Sequence, residues 1–274
     1  MKNVFIFTPT NRYGGLDVAV SCLQKAIKHD TTQIKHLYWY IADELYEERV
    51  KAREFNIDVD GVTIIHSRVQ KQNGMKRNLA SSYQSALDKA RSVDADLFIS
   101  LQDYIWFPED GIQQFIDFSF KEECLMTGLC HHSLEPSADK IVNNKGLFTV
   151  FDEPWNGDKP QGRSWTDVRE SGNLTPYATD PIRWEINWGA ITREPLHDES
   201  LNFDISYDSG IAYENQDYSL QARMKGYSTY QLEGNVAISF PHRSYWPEET
   251  EINDGLTQIN MKKHHEKWHL DMPH

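Results

Sequence analysis

Residues 94–112, DADLFISLQDYIWFPEDGI, decide how this chain is read. Leu97–Leu101 is an apolar run of strand length, too short for a helix, and it stops at Gln102-Asp103. A second apolar patch, Ile105-Trp106-Phe107, ends at Pro108, and helical spacing follows over Glu109–Phe118. A continuously apolar strand suits a sheet covered on both faces, and strands that alternate with helices point to βαβ units and a parallel sheet.

The same alternation extends on both sides. Val4–Thr8 predicts a first strand and Ile34–Ile41 a second; Val62–His66 predicts a third, Leu97–Leu101 a fourth and Cys124–Leu129 a fifth. Between them, helical spacing begins at Asp17 (Val20, Leu23, Ile27) and covers Asp43–Phe55, with Asp43 as its cap. It returns over Asn78–Arg91, where Leu79, Tyr83, Ala86, Leu87 and Ala90 share a face. Residues 131–182 are rich in Pro, Gly, Asn and Asp and lack a clear period, as functional loops often are. Regular structure is expected again at Trp184–Thr192, a helix near Tyr218–Lys225, strands Ser228–Leu232 and Val236–Phe240, and a polar helical tail over Leu256–Trp268. The expectation is one α/β domain over 1–274. Its parts are a half at 1–130, a loop-rich half at 131–245 and a tail at 246–274.

The chain has 274 residues, 28 Lys+Arg against 41 Asp+Glu, and a formal net charge of -13. That balance argues against a surface built for nucleic-acid backbone or anionic lipid. Cys22, Cys124 and Cys130 form neither a disulfide framework nor a CxxC zinc pair. The N-terminal apolar run is too short for a signal-peptide core, and no run of about 18 apolar residues occurs, so a cytoplasmic protein is expected.

Ligands of open α/β sheets bind beyond the carboxyl ends of the strands. Those ends carry Pro9-Thr10-Asn11-Arg12, Asp43-Glu44 and Gln102-Asp103-Tyr104. No GxGxxG follows the first strand and no GxxxxGK[ST] occurs, so neither a dinucleotide fingerprint nor a P-loop is present. Asp103 suits either Mg²⁺ or Mn²⁺ carrying a diphosphate or, more simply, a solvated turn or helix cap. Asp217, in the first turn of a helix, suits either a general base or a helix-start acid. His242, beyond the last strand, is a candidate metal or phosphate contact, with Arg243 beside it. Trp155, Trp184 and Trp188 could stack on sugar faces or simply pack under the long loop. His131-His132 would point to opposite faces of a strand and so would not share an ion.

Taken in order, these segments resemble a nucleotide-sugar glycosyltransferase of the GT-A fold, closest in pattern to glycosyltransferase family 2. The segments are VFIFTPTNR (4–12), GMKRNLASSYQSAL (74–87), ISLQDYIWFPEDGI (99–112), WGAITREPL (188–196), YENQDYSLQARMKGY (213–227) and VAISFPH (236–242). The resemblance implies a Rossmann-like, mostly parallel central sheet with helices on both faces. It implies a metal-dependent, inverting transfer of a sugar from a nucleoside-diphosphate sugar to an acceptor hydroxyl on a glycan, lipid, protein or nucleic acid.

By the same resemblance, Pro9, Thr10, Arg12 and Asp43 would hold the nucleotide, with Arg77 and Gln102 near its diphosphate. Asp103 and His242 would bind Mn²⁺ or Mg²⁺, and Asp217 would be the base. Trp155, Trp184 and Trp188 would line the acceptor side. Two departures stand out: Gln102-Asp103-Tyr104 keeps one carboxylate of the usual acidic motif, and Gln216-Asp217 replaces an acidic pair. They motivate the alternative of a catalytically inactive sugar-nucleotide-binding relative. A sugar nucleotidyltransferase would need a Gly-rich, Arg-containing loop after the first strand, a pattern that NRYGGLD (11–17) lacks.

Overall fold

The computed structural model of the chain describes residues 1–11, 14–52, 57–69, 79–121, 123–133, 159–160, 162–163, 184, 186–210, 212–240 and 249–269. In chain order the strands are β1 (Lys2–Thr10), β2 (Ile34–Asp43), β3 (Val62–Arg68), β4 (Leu97–Leu101), β5 (Ile105–Trp106), β6 (Cys124–Ser133), β7 (Gly162–Arg163), β8 (Trp188–Thr192) and β9 (Ser228–Ser239). The helices are α1 (Leu16–His29), α2 (Tyr46–Ala52), α3 (Leu79–Ser92), α4 (Gly111–Phe118), α5 (Arg193–His197), α6 (Glu214–Met224) and α7 (Glu249–Trp268).

All nine strands join one sheet in the order β3-β2-β1-β4-β8-β6-β9-β5, with β7 paired to β6. Pairs β3–β2, β2–β1, β1–β4 and β6–β9 are parallel, whereas β8 runs antiparallel between β4 and β6. The expected α/β architecture, with helices on both faces, is what the chain adopts. On β1 the side chains alternate: Val4 and Ile6 enter the core that contains α1 and α4 residues, while Phe5 and Phe7 enter the one that contains α3 and α6 residues. The face expected for α3 is also the one it buries, through Tyr83, Ala86, Leu87 and Ala90.

Two expectations change. The last two strands are one strand, β9, interrupted by a bulge: Leu232 pairs with Gly128, but the next pair is Val236 with Leu129. The bulge turns Asn235 fully inward, where its Oδ1 accepts from Trp188 Nε1 at 2.7 Å and its Nδ2 donates to the Gly111 carbonyl at 2.9 Å. A side-chain pattern of period two cannot register such an insertion. Second, the polar tail is longer than expected and partly buried. Helix α7 starts at Glu249 and buries Asn260 and His264.

Gly128 is the fixed point of the bulge. A Cβ there would lie 2.2 Å from Trp188 Cδ1 and 2.5 Å from the Asn235 carbonyl oxygen. Gly128→Ala should therefore destabilise the protein by about 1–3 kcal/mol, the usual range for overpacking. Urea unfolding measures it, and an unchanged midpoint would show that the Trp188–Asn235 contact yields without cost.

Candidate active site at the carboxyl ends of the strands

Parallel pairing sets Thr10 beside Asp43, and Asp43 beside Arg68, across the carboxyl ends of β1, β2 and β3. Pro9 falls just beyond the last β1–β4 pair, Phe7–Ser100, so its missing N–H costs no ladder bond with β4. Past the end of β4, Asp103 is only 3% exposed and accepts a hydrogen bond from Thr10 Oγ1 at 3.0 Å. Arg49 Nη2 approaches the same hydroxyl at 3.5 Å. A guanidinium can only donate, so the Thr10 proton is directed to Asp103. Arg49 is entirely buried and its Nε lies 2.9 Å from Asp43 Oδ2. His66 Nε2 meets the same oxygen at 2.9 Å, and Asp43 Oδ1 accepts from the Leu45 amide at 2.8 Å. The ends of β1, β2, β3 and β4 are thus joined by one polar chain: His66, Asp43, Arg49, Thr10, Asp103.

Asp43 is correspondingly not an open nucleotide contact. Its exposure is zero and both oxygens are engaged within the protein. Arg49 was not singled out from the sequence, because a charged residue on a short polar helix reads as solvated; nor was His66, on β3.

The backbone after Asp103 is strained. Tyr104 has φ 64, left-handed for a non-glycine residue. Two contacts hold it: its carbonyl accepts from the Phe240 amide at 2.9 Å, and its ring rests on Gly15. A Cβ at Gly15 would come within 2.7 Å of that ring, and Gly15 itself has φ 89, so glycine is required twice over. This ties the start of α1 to the Asp103 turn.

A second acidic segment is tied to the chain near the end of β4 through Trp184 and Asn187. Asn215 Nδ2, in the first turn of α6, donates to the Trp184 carbonyl at 2.8 Å. The Gln102 amide donates to the Asn187 carbonyl at 3.0 Å. Carbonyls three residues apart lie at most about 11 Å from each other. The start of α6 and the turn that carries Asp103 are thus hydrogen-bonded to carbonyls only three residues apart in the chain.

Within that segment the structure corrects the base assignment. Asp217 is fully buried and saturated. It accepts from Trp268 Nε1 at 2.8 Å, Gln221 Nε2 at 2.7 Å and Lys267 Nζ at 2.9 Å. It anchors α7, and with the Tyr207 hydroxyl also directed at Oδ1 at 3.4 Å its oxygens are engaged within the protein. Burial alone would pull the Lys267 ammonium down, but its hydrogen bonds to Asp217 and Asp204 hold its pKa above the usual lysine range. The acid one turn earlier, Glu214, is the residue that opens α6, and it follows Ala212 and Tyr213, both left-handed at φ 63 and 72. Glu214, itself only 4% exposed, was not singled out from the sequence.

Trp184 and Trp188 are corrected as well: both are core residues. Trp188 has zero exposure and stacks on Phe107 at 4.6 Å, and Trp184 Nε1 donates to the Met126 carbonyl at 2.9 Å. Neither offers a face to a sugar. Gln102 is half-buried, as is His131 on β6. Arg12, Arg77, Trp155, His242 and Arg243 lie outside the described residues. Among the described residues no group of three or more His, Cys, Asp or Glu side chains could by itself hold a metal ion, and no helix is long and apolar enough to cross a membrane.

No family model and no curated protein matches this chain. Its likeness is to solved structures, and it defines the class: the fold is the GT-A-like glycosyltransferase fold. The mannosyltransferase PcManGT from Pyrobaculum calidifontis, in complex with GDP-Man and Mn²⁺, has a TM-score of 0.56 at 13% identity, covering 96% of this chain and 64% of that one. GalNAc-T7 with UDP, GalNAc and Mn²⁺ has a TM-score of 0.55 at 13% identity, over 90% and 44%. Residues 1–349 of S. aureus TarS give 0.52 at 12% identity, over 87% and 60%. The chain thus spans less than two thirds of each of these proteins.

The anchoring role of Asp217 has a direct consequence. Asp217→Ala removes the acceptor for a lysine ammonium and an indole N–H, and should cost about 1.5–3 kcal/mol. Thermal unfolding measures it, and an unchanged midpoint would overturn the anchor.

A pH effect sits on α7. Burial pushes the His264 imidazole down to about 4, with Asp217 opposing the shift and His265 and Lys267 adding to it. Its folded pKa is depressed below 6.5, so its contribution is present above that pH and is lost as pH falls from 6.5 toward 4. Replacing His264 by Gln should flatten the stability curve over that window, and parallel curves for the two proteins would contradict it.

Proposed function

We propose that this chain is a glycosyltransferase that moves a sugar from a nucleoside-diphosphate donor to an acceptor hydroxyl. The observation that carries the reading is the Asp103 carboxylate, fixed by Thr10 at the carboxyl end of β4 in a GT-A-like sheet. The donor would lie across residues 1–130, its nucleotide beyond β1 and β2 and its diphosphate toward Asp103. The neighbouring structures solved with UDP or GDP-Man and Mn²⁺ support that class of donor and metal.

The donor set fits a particular mode of metal use. Mg²⁺ sites at phosphates are typically built from one or two carboxylates plus the substrate's own oxygens. Asp103 supplies one carboxylate, with His242 as the further candidate ligand. When bound, the ion would neutralise charge on the departing nucleoside diphosphate. Thr10 keeps the Asp103 carboxylate oriented, and Arg49 and Asp43 keep Thr10 in place. Glu214, at the start of α6, takes the role first given to Asp217: it accepts the proton of the acceptor hydroxyl. The new bond joins the acceptor oxygen to the anomeric carbon as the bond to the diphosphate oxygen breaks, which inverts that carbon.

A site with so few protein ligands should bind metal and nucleotide together. Mn²⁺ alone should shift the melting temperature little, and Mn²⁺ with UDP or GDP should raise it by several degrees, because binding to the native state stabilises it. Asp103→Ala should abolish the metal-dependent part. Donor hydrolysis should fall by at least about 10²-fold in Glu214→Gln, the scale of a lost general base. Nucleotide binding with no turnover of any donor would favour the inactive binding protein instead. No metal-dependent nucleotide binding would defeat the proposal.

A further inference from the structure

Two consecutive left-handed residues without glycine, Ala212 and Tyr213, precede Glu214. Each such residue costs of order 1–3 kcal/mol and persists only where its surroundings over-determine it. Those surroundings come from α7. Asn260, with zero exposure, donates through its one Nδ2 to the Ala212 carbonyl at 2.8 Å and to the Tyr207 carbonyl at 2.9 Å. It thereby grips both ends of the segment that leads into α6. There is no slack between them: a Cβ on Gly210 would lie 2.4 Å from the Leu256 carbonyl oxygen and 2.6 Å from Asn260 Oδ1. One turn later, the His264 ring packs 5.3 Å from Tyr213. On the far side of Glu214, Asp217 fastens Lys267 and Trp268. Helix α7 is therefore attached immediately before and immediately after Glu214.

We infer that α7 is a clamp that holds the strained turn at Glu214, and that Asn260 is a positioning residue for the transfer reaction. This rests on the assignment of Glu214 in the preceding section. Asn260 acts through the backbone of Ala212 and touches no substrate. Its loss should relax the turn and misplace the Glu214 carboxylate while leaving the donor half intact.

Asn260→Ala and Gly210→Ala break the clamp from opposite sides, and Lys262→Ala, on the exposed face of α7, is the control. Three quantities are read: affinity for UDP or GDP with Mn²⁺, amide exchange in the peptide covering 212–216, and kcat and KM for donor hydrolysis. Both clamp variants should keep nucleotide affinity and donor KM within about twofold. Exchange at 212–216 should quicken, and kcat should fall, each by at least about tenfold, the equivalent of 1.4 kcal/mol. Lys262→Ala should change none of the three. Unchanged exchange would overturn the clamp, and faster exchange with unchanged kcat would overturn the positioning role. A variant that loses nucleotide affinity as well would show that α7 supports the whole fold and not this turn, which also overturns the inference. If the wild-type protein hydrolyses no donor, the transfer reading falls and the positioning role falls with it. The exchange result then reports on the clamp alone.

Discussion

The buried ion pair between Asp43 and Arg49 sets the geometry of the strand ends. Both side chains have zero exposure, so neither can exchange its partner for water. Removing one member of such a pair typically costs about 3–5 kcal/mol, because the other is left charged and unpaired. The pair therefore fixes Arg49 against Thr10, and Thr10 can then donate only toward Asp103. Residues from three strand ends and one helix are held in one arrangement, and the carboxylate that matters for the proposed chemistry is the last link.

The three strained non-glycine residues at the site fall beside its two acidic segments. Tyr104 follows Asp103, and Ala212-Tyr213 precede Glu214. Each is held by contacts from distant parts of the chain: Phe240 and Gly15 at the first, Asn260 and His264 at the second. Strain supported from outside is characteristic of places where a side chain must be aimed. Trp184 and Asn187 link the two places: their carbonyls accept from the Asn215 side-chain amide and the Gln102 backbone amide.

Much of the fold was legible in the sequence, because β1, β4 and α3 obey simple periodicities: alternate side chains of β1 fill two cores, and α3 buries one face. The bulge in β9 was not legible, since its cause is a cross-sheet demand, the need of Trp188 Nε1 for an acceptor. Helix α7 was expected as a polar helical tail, but nothing in its sequence announced that it packs on the site. Among the described residues its fully buried side chains are Asn260 and His264, polar groups that a search for apolar periodicity does not pick out. The site was partly legible: Thr10 and Asp103 meet as adjacent strand ends. Asp43 and Asp217 were recognised as special, but each spends its charge on an internal cation, Arg49 in one case and Lys267 in the other. Trp184 and Trp188 illustrate the same limit, since the residue type suits both sugar stacking and core packing.

The central claim is that the carboxyl ends of β1, β2 and β4 form a nucleoside-diphosphate site centred on Asp103. Hydrogen exchange measured with and without UDP or GDP, in Mn²⁺, tests it most directly. The account predicts that the nucleotide slows exchange in peptides covering residues 8–11, 43–46 and 101–105, and does so only in the presence of the metal. Protection confined to another surface, such as the groove of about 480 Å³ between α3 and β2–β3 lined by Tyr40, Ser67 and Lys89, would contradict it.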